Sequence, residues 1–167
     1  MCTLKLFAHF YFELPGNAAP RPLQILKNLL KYSSMYLTKH GIAPETVIEK
    51  NADSVLLEFS VPETCDFFEG HFPEIKLLPA VAQIDLMAHF SKKYFGVPIG
   101  FSGTKRTKFG APIFPNATVR MNIKFNSEKN SVTYKLSDTS GEKIYSTGTF
   151  ALIGKYDGGG YECSGHF

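Results

Sequence analysis

Phe67-Phe68-Glu69-Gly70-His71-Phe72-Pro73, continued through Leu77-Leu78-Pro79 into Ala80-Val81-Ala82-Gln83-Ile84-Asp85-Leu86-Met87-Ala88-His89-Phe90, is the stretch on which the reading of this chain turns. It sets a histidine in a loop bounded by glycine and proline and, fourteen residues later, a single carboxylate inside an apolar run. The spacing predicts a helix over 80–95, opened by Pro79 and closed before Gly96-Val97-Pro98. With Val81, Ala82, Ile84, Leu86, Met87, Ala88 and Phe90 spread around it, such a helix has to be enclosed rather than laid on an outer face.

The flanking segments supply the enclosure. Thr46 to Lys50 and Ser54 to Val61 read as a β-hairpin turned at Asn51-Ala52-Asp53, with Val55, Leu57, Phe59 and Val61 facing one way. Beyond the helix, strand-like segments at 101–108, 117–126, 131–138 and 143–153 are separated by Gly/Pro/Asn turn chemistry. Strands, one long apolar helix, then more strands give an α+β fold: one antiparallel sheet wrapped around a central helix, the order of a hotdog fold. Ahead of it, Leu23, Leu26, Leu29, Leu30, Ser33, Tyr36 and Leu37 recur at helical spacing, with lysines opposite and Gly41 past the end. This extra N-terminal helix, about 22–39, reads either as a partner- or lipid-binding surface or as a helix packed on its own domain. The width of its apolar stripe favours packing. The expected organisation is an arm and helix over 1–41, a hotdog domain over 42–154 and a flexible tail over 155–167.

Length and composition set the outer limits. A chain of 167 residues holds one well-buried core. A net charge of +3, with basic and acidic side chains interleaved, gives no dense basic face and argues against nucleic-acid binding. The three cysteines, Cys2, Cys65 and Cys163, have neither disulfide-framework nor metal-ligand spacing. A reducing, cytoplasmic setting is expected. The apolar start, residues 1–12, is broken by Lys5 and His9 and reads as no signal peptide. No apolar run reaches the ~18–20 residues of a membrane span.

The chemistry lies in the opening stretch. Asp85 sits about 7.5 Å up the helix axis from Ala80, among apolar neighbours, where an unpaired carboxylate is costly. It must find a partner or take up a proton. A carboxyl kept protonated near neutral pH is a candidate general acid; the plainer reading is a core aspartate bonded to a loop N–H or to His89 at i+4. His71, held between Gly70 and Phe72-Pro73, is a candidate general base; the plainer reading is an imidazole bonded to backbone. Pro79 at the helix start costs no hydrogen bond, and the free N–H groups of Ala80 and Val81 point out of the positive end, where a thioester or enolate oxygen is stabilised. The two groups need not meet within one chain, so a dimer would complete the site.

At these residues the chain resembles a known family. Phe68-Glu69-Gly70-His71-Phe72-Pro73, Leu78-Pro79 and Gln83-Ile84-Asp85 are similar to the signature of the 3-hydroxyacyl-acyl-carrier-protein dehydratases of FabA/FabZ type, most closely the ApeI-like branch. The similarity continues through Lys108-Phe109 and Pro112-Ile113-Phe114-Pro115 to Tyr145-Ser146-Thr147-Gly148. What the resemblance implies is a hotdog homodimer in which His71 removes the α-proton of a 3-hydroxyacyl thioester and Asp85 of the other protomer protonates the departing hydroxyl, with neither a metal nor a redox cofactor. Gly70, Phe72, Ala80, Val81 and His89 would hold the substrate. The acyl chain would arrive on the phosphopantetheine arm of acyl carrier protein, an acidic partner for Lys105, Arg106 and Lys108. Two departures matter. Ala80 stands where the family usually has glycine, adding a methyl group beside the thioester, and His89 replaces a polar amide and could keep Asp85 ionised. A catalytically weak hotdog that binds an acyl carrier or acyl chain, and a hotdog thioesterase, are the competing readings.

Overall fold

The computed structural model describes residues 35–70, 74–97, 104–152, 155–156 and 161–162. The arm at 4–14 and the expected helix as far as residue 34 lie outside the described residues, as does most of the tail. In chain order the elements are β1 (Thr46–Lys50), β2 (Ser54–Val61), a 3-10 turn (Asp66–Phe68), the central helix (Ala80–Phe95), β3 (Thr104–Phe109), β4 (Ala117–Asn126), β5 (Ser131–Asp138), β6 (Ile144–Ala151), β7 (Lys155–Tyr156) and β8 (Tyr161–Glu162). Strands β1 to β6 form one antiparallel sheet in the order β1-β2-β4-β5-β6-β3, and β7 pairs with β8.

Alternation places the core. Along β2, Val55, Leu57, Phe59 and Val61 are buried, and the antiparallel register sets Leu57 opposite Met121, and Met121 opposite Leu136. In the neighbouring row Val55 faces Ile123, Ile123 faces Tyr134, and Tyr134 faces Gly148. Glycine at 148 is a packing requirement: a Cβ there would lie 2.7 Å from Tyr134 Cε1 and 3.1 Å from Phe150 Cε2. The "YSTG" stretch is thus where the sheet accommodates a buried tyrosine ring.

The central helix lays Ala82, Leu86, Met87 and Phe90 on this core, all buried, with Phe90 against Phe59 at 5.3 Å between ring centroids. It ends at Gly96, whose positive φ of 68° lets its N–H return to the Lys92 carbonyl at 3.0 Å. Within one chain the enclosure expected from the sequence is one-sided: Ile84 and Ala88 are half-buried and Val81 is 76% exposed. A sheet curls around only one flank of a helix, so the other is left to whatever packs there next.

Part of that flank is covered from the N-terminal side. Residues 35–39 are helical and run into Gly41, whose φ is +71°. Leu37 and Ile42 are buried in the same core, and the Ile42 N–H bonds the Leu37 carbonyl at 2.8 Å. Burying a leucine completely contributes about 1.5–3 kcal/mol, so this segment is fixed to the domain by its own apolar side chains. No helix among the described residues is long and apolar enough to cross a membrane. Cys65 is buried and free, and burial pushes its thiol up.

Candidate active site

The approach to the central helix is fixed before the helix begins. Leu78 is buried and its N–H bonds the Ile113 carbonyl at 2.9 Å, tying the helix start to the turn between β3 and β4. Pro79 follows in an extended conformation (φ −58°, ψ 149°) as the N-terminal cap. The Gln83 N–H closes the first turn on the Pro79 carbonyl at 3.2 Å, and no acidic side chain stands in that turn. The N–H groups of Ala80 and Val81 therefore lack intrahelical acceptors, and both residues are exposed. The Gln83 side chain is buried, its amide nitrogen 3.3 Å from the Leu78 carbonyl, and its oxygen has no partner among the described residues.

One turn further in, half-buried Asp85 accepts a hydrogen bond at Oδ2 from the phenol of Tyr36. The Tyr36 ring lies flat on His89, with centroids 4.0 Å apart and planes 11° apart. Its edge meets His40 at 4.7 Å. His40 in turn stacks on Phe67 at 4.3 Å, and its Nδ1 lies 2.9 Å and 3.0 Å from the two carboxylate oxygens of Asp66. A column of rings thus runs from the 3-10 turn, through the N-terminal segment, to the helix that carries Asp85.

His89 is held neutral at ordinary pH. Burial of the ring lowers its pKa from 6.5 to about 4, Lys93 reinforces this, and the opposing pull of Glu45 and of Asp85 is smaller. Lys93 is itself paired to the nearly buried Glu45 at 2.6 Å, and Glu45 also accepts from Tyr94 at 2.6 Å. Burial, then the Glu45 carboxylate, hold the Tyr94 phenol well above its usual range. At His89 desolvation outweighs the attraction of the Asp85 carboxylate.

Of the residues singled out in the sequence, Val81, Asp85 and His89 follow one another at i, i+4 and i+8 along one helix face, and Ala80 is the first residue of the helix. Gly70 has a positive φ of 70°. His71, Phe72 and the side chain of Lys105 lie outside the described residues. Arg106 and Lys108 are exposed on β3, an edge strand, where cations also deter edge-to-edge pairing. Among the described residues no group of three or more His, Cys, Asp and Glu side chains is arranged to hold a metal ion. Tyr36 and His40 are the additions. A trace of Tyr36 was present in the sequence: a phenol on the apolar stripe of one helix and a carboxylate in the apolar stretch of another are both polar handles in need of a partner.

The ApeI dehydratase family model matches residues 47–149, most of the sheet and the whole central helix. The chain belongs to the ApeI-like dehydratase family. Curated relatives include the 3-hydroxyacyl-[acyl-carrier-protein] dehydratases FabZ of Oenococcus oeni, 24% identical over 62% of this chain and 81% of that one, and of Clostridium botulinum, 30% identical over 53% and 68%. Among solved structures, the dehydratase heterocomplex ApeI:P from Xenorhabdus doucetiae is 26% identical, with a TM-score of 0.57 over 66% of this chain and 98% of that one. Thioesterase superfamily member 2 of Mus musculus has a TM-score of 0.53 at 13% identity over 75% of this chain and 96% of that one, a likeness of fold alone. The hotdog fold expected from the sequence is the fold of these neighbours. The ApeI-like match begins after Tyr36, His40 and the segment that carries them.

Proposed function

We propose that this ApeI-like protein removes water from a 3-hydroxyacyl thioester on acyl carrier protein and releases a trans-2-enoyl thioester. The observation that carries the reading is the half-buried Asp85 carboxyl, one turn inside a helix whose first N–H groups are open. His71 takes the proton from Cα, the Cβ–O bond breaks as the double bond forms, and Asp85 supplies the proton that turns the leaving hydroxyl into water. The N–H groups of Ala80 and Val81 receive the charge that develops on the thioester oxygen. Returning the proton from His71 to Asp85 resets the site, so the chemistry needs no redox partner.

The site is completed by a second copy of the chain, which covers the apolar side chains that one copy leaves to water: Val81, Phe109, Phe114 and Ile144. Light scattering at micromolar concentration should give a dimer, and a monomer would refute the shared site. Arg106 and Lys108, with Lys105, receive the acidic carrier protein.

The test offers 3-hydroxyacyl thioesters on carrier protein and on CoA and follows loss of water by mass spectrometry. Wild type should give the enoyl thioester; His71→Ala and Asp85→Asn should each nearly abolish it, with the double variant little worse. Arg106→Glu should slow the carrier-bound substrate far more than the CoA ester. Release of free thiol would establish the thioesterase instead, and binding without turnover the acyl-binding module.

A further inference from the structure

We infer that Tyr36 is a positioning residue for the candidate acid, fixing which oxygen of Asp85 carries the proton. The inference rests on the dehydratase reading and extends it to a segment outside the family match.

A carboxylic acid has one oxygen that donates and one that accepts. A phenol O–H that donates to Oδ2 makes Oδ2 the acceptor, so the proton of the neutral acid resides on Oδ1. Among the described residues Tyr36 is the hydrogen-bond donor to this carboxyl. The same bond strengthens when Asp85 gives up its proton, because a donor to a carboxylate is roughly twice as effective as a donor to a neutral oxygen. Tyr36 thus favours transfer at the moment charge appears on Asp85 and returns to a weaker bond when the acid is reloaded.

The phenol is itself held. Its ring is fixed flat on His89 at 4.0 Å and edge-on to His40 at 4.7 Å, and the neighbouring Leu37 is buried. His40 is anchored by Asp66 in the 3-10 turn, five residues before His71 in the sequence. The side chain that orients the acid therefore belongs to a segment also fastened to the turn leading towards the candidate base. The other charged groups around the helix face are accounted for: Lys93 pairs with Glu45, and Lys92 and Lys93 both act on His89 in the direction that keeps it neutral.

Tyr36→Phe tests this, because it keeps the ring and its stacking and deletes only the donor. The turnover number of the dehydration should fall by about tenfold or more, with KM little changed. Independently of activity, the Asp85 carboxyl carbon followed by 13C NMR at a fixed pH should change its chemical shift in Tyr36→Phe relative to wild type, because Oδ2 loses its donor. An unchanged kcat and an unchanged 13C shift in a folded Tyr36→Phe, with Asp85→Asn inactive, would overturn the positioning role and leave the dehydratase reading standing. A fully active Asp85→Asn would instead remove the dehydratase reading, and a Tyr36→Phe whose 13C shift moved while its kcat held would overturn the part assigned to Tyr36 in the reaction.

Discussion

Replacing His89 by glutamine should remove a defined part of the protein's sensitivity to acid. The ring has a pKa near 4 in the folded chain and an ordinary value of 6.5 when unfolded. Between those values the unfolded chain binds a proton that the folded chain refuses. The contribution to stability is therefore full above pH 6.5, falls as the pH drops through the window, and levels off below 4. Linkage puts the loss between pH 7 and pH 5 at about 2 kcal/mol, and solvent at the partly exposed ring trims it to about 1 kcal/mol. Glutamine cannot charge, so His89→Gln lacks this slope whatever it loses in stacking on Tyr36, which affects both pH values alike. Urea unfolding of both proteins at pH 7 and pH 5 gives four free energies, and the difference of differences is the quantity sought. Equal losses in wild type and variant would show that His89 is not held neutral, and would restore it as a cation able to keep Asp85 ionised.

Two further outcomes follow from the packing. Gly148→Ala forces a methyl to within 2.7 Å of Tyr134 Cε1 in a buried part of the sheet; overpacking of this kind costs about 1–3 kcal/mol, and an unchanged urea midpoint would mean that the ring has room to move. If the proposed dehydration holds, Ala80→Gly should preserve or raise its rate, since it keeps the N–H and removes a methyl from the approach proposed for the thioester, where a displacement of about 1 Å can cost about a hundredfold; a large fall in rate would show that the methyl itself helps seat the substrate.

The fold was legible because its elements declare themselves over short distances. Val55, Leu57, Phe59 and Val61 alternate, and all four are buried. Pro79 and Gly96 bracket the helix at the residues where it starts and stops. The last three long strands fall between Gly, Pro and Asn turns that set their limits to within two residues. None of these readings needs knowledge of what lies across the core. The bond between Tyr36 and Asp85 spans 49 residues of sequence, and neither partner's immediate neighbours hint at the other. Local periodicity located both residues on packed faces; only the three-dimensional arrangement could join them. The same holds for His89, whose charge state depends on burial and on Lys93 and Glu45 together.

That difference bears on how the site is built. A carboxylate on an apolar helix is tolerable if something donates to it, and the cost of leaving it bare rises with burial. The hotdog core supplies the burial, through Leu86, Met87 and Phe90 on the same helix. The donor comes from outside the ApeI-like match, on a segment whose own attachment is the ordinary hydrophobic packing of Leu37 and Ile42. Packing of the leading segment and placement of the acid are consequently one problem: any change that loosens Leu37 shifts the phenol, and a carboxyl that loses its donor can rotate about its last bond. The helical segment at 35–39, at the end of the stretch that apolar periodicity marked as packed, thereby acquires a part in the chemistry proposed for Asp85.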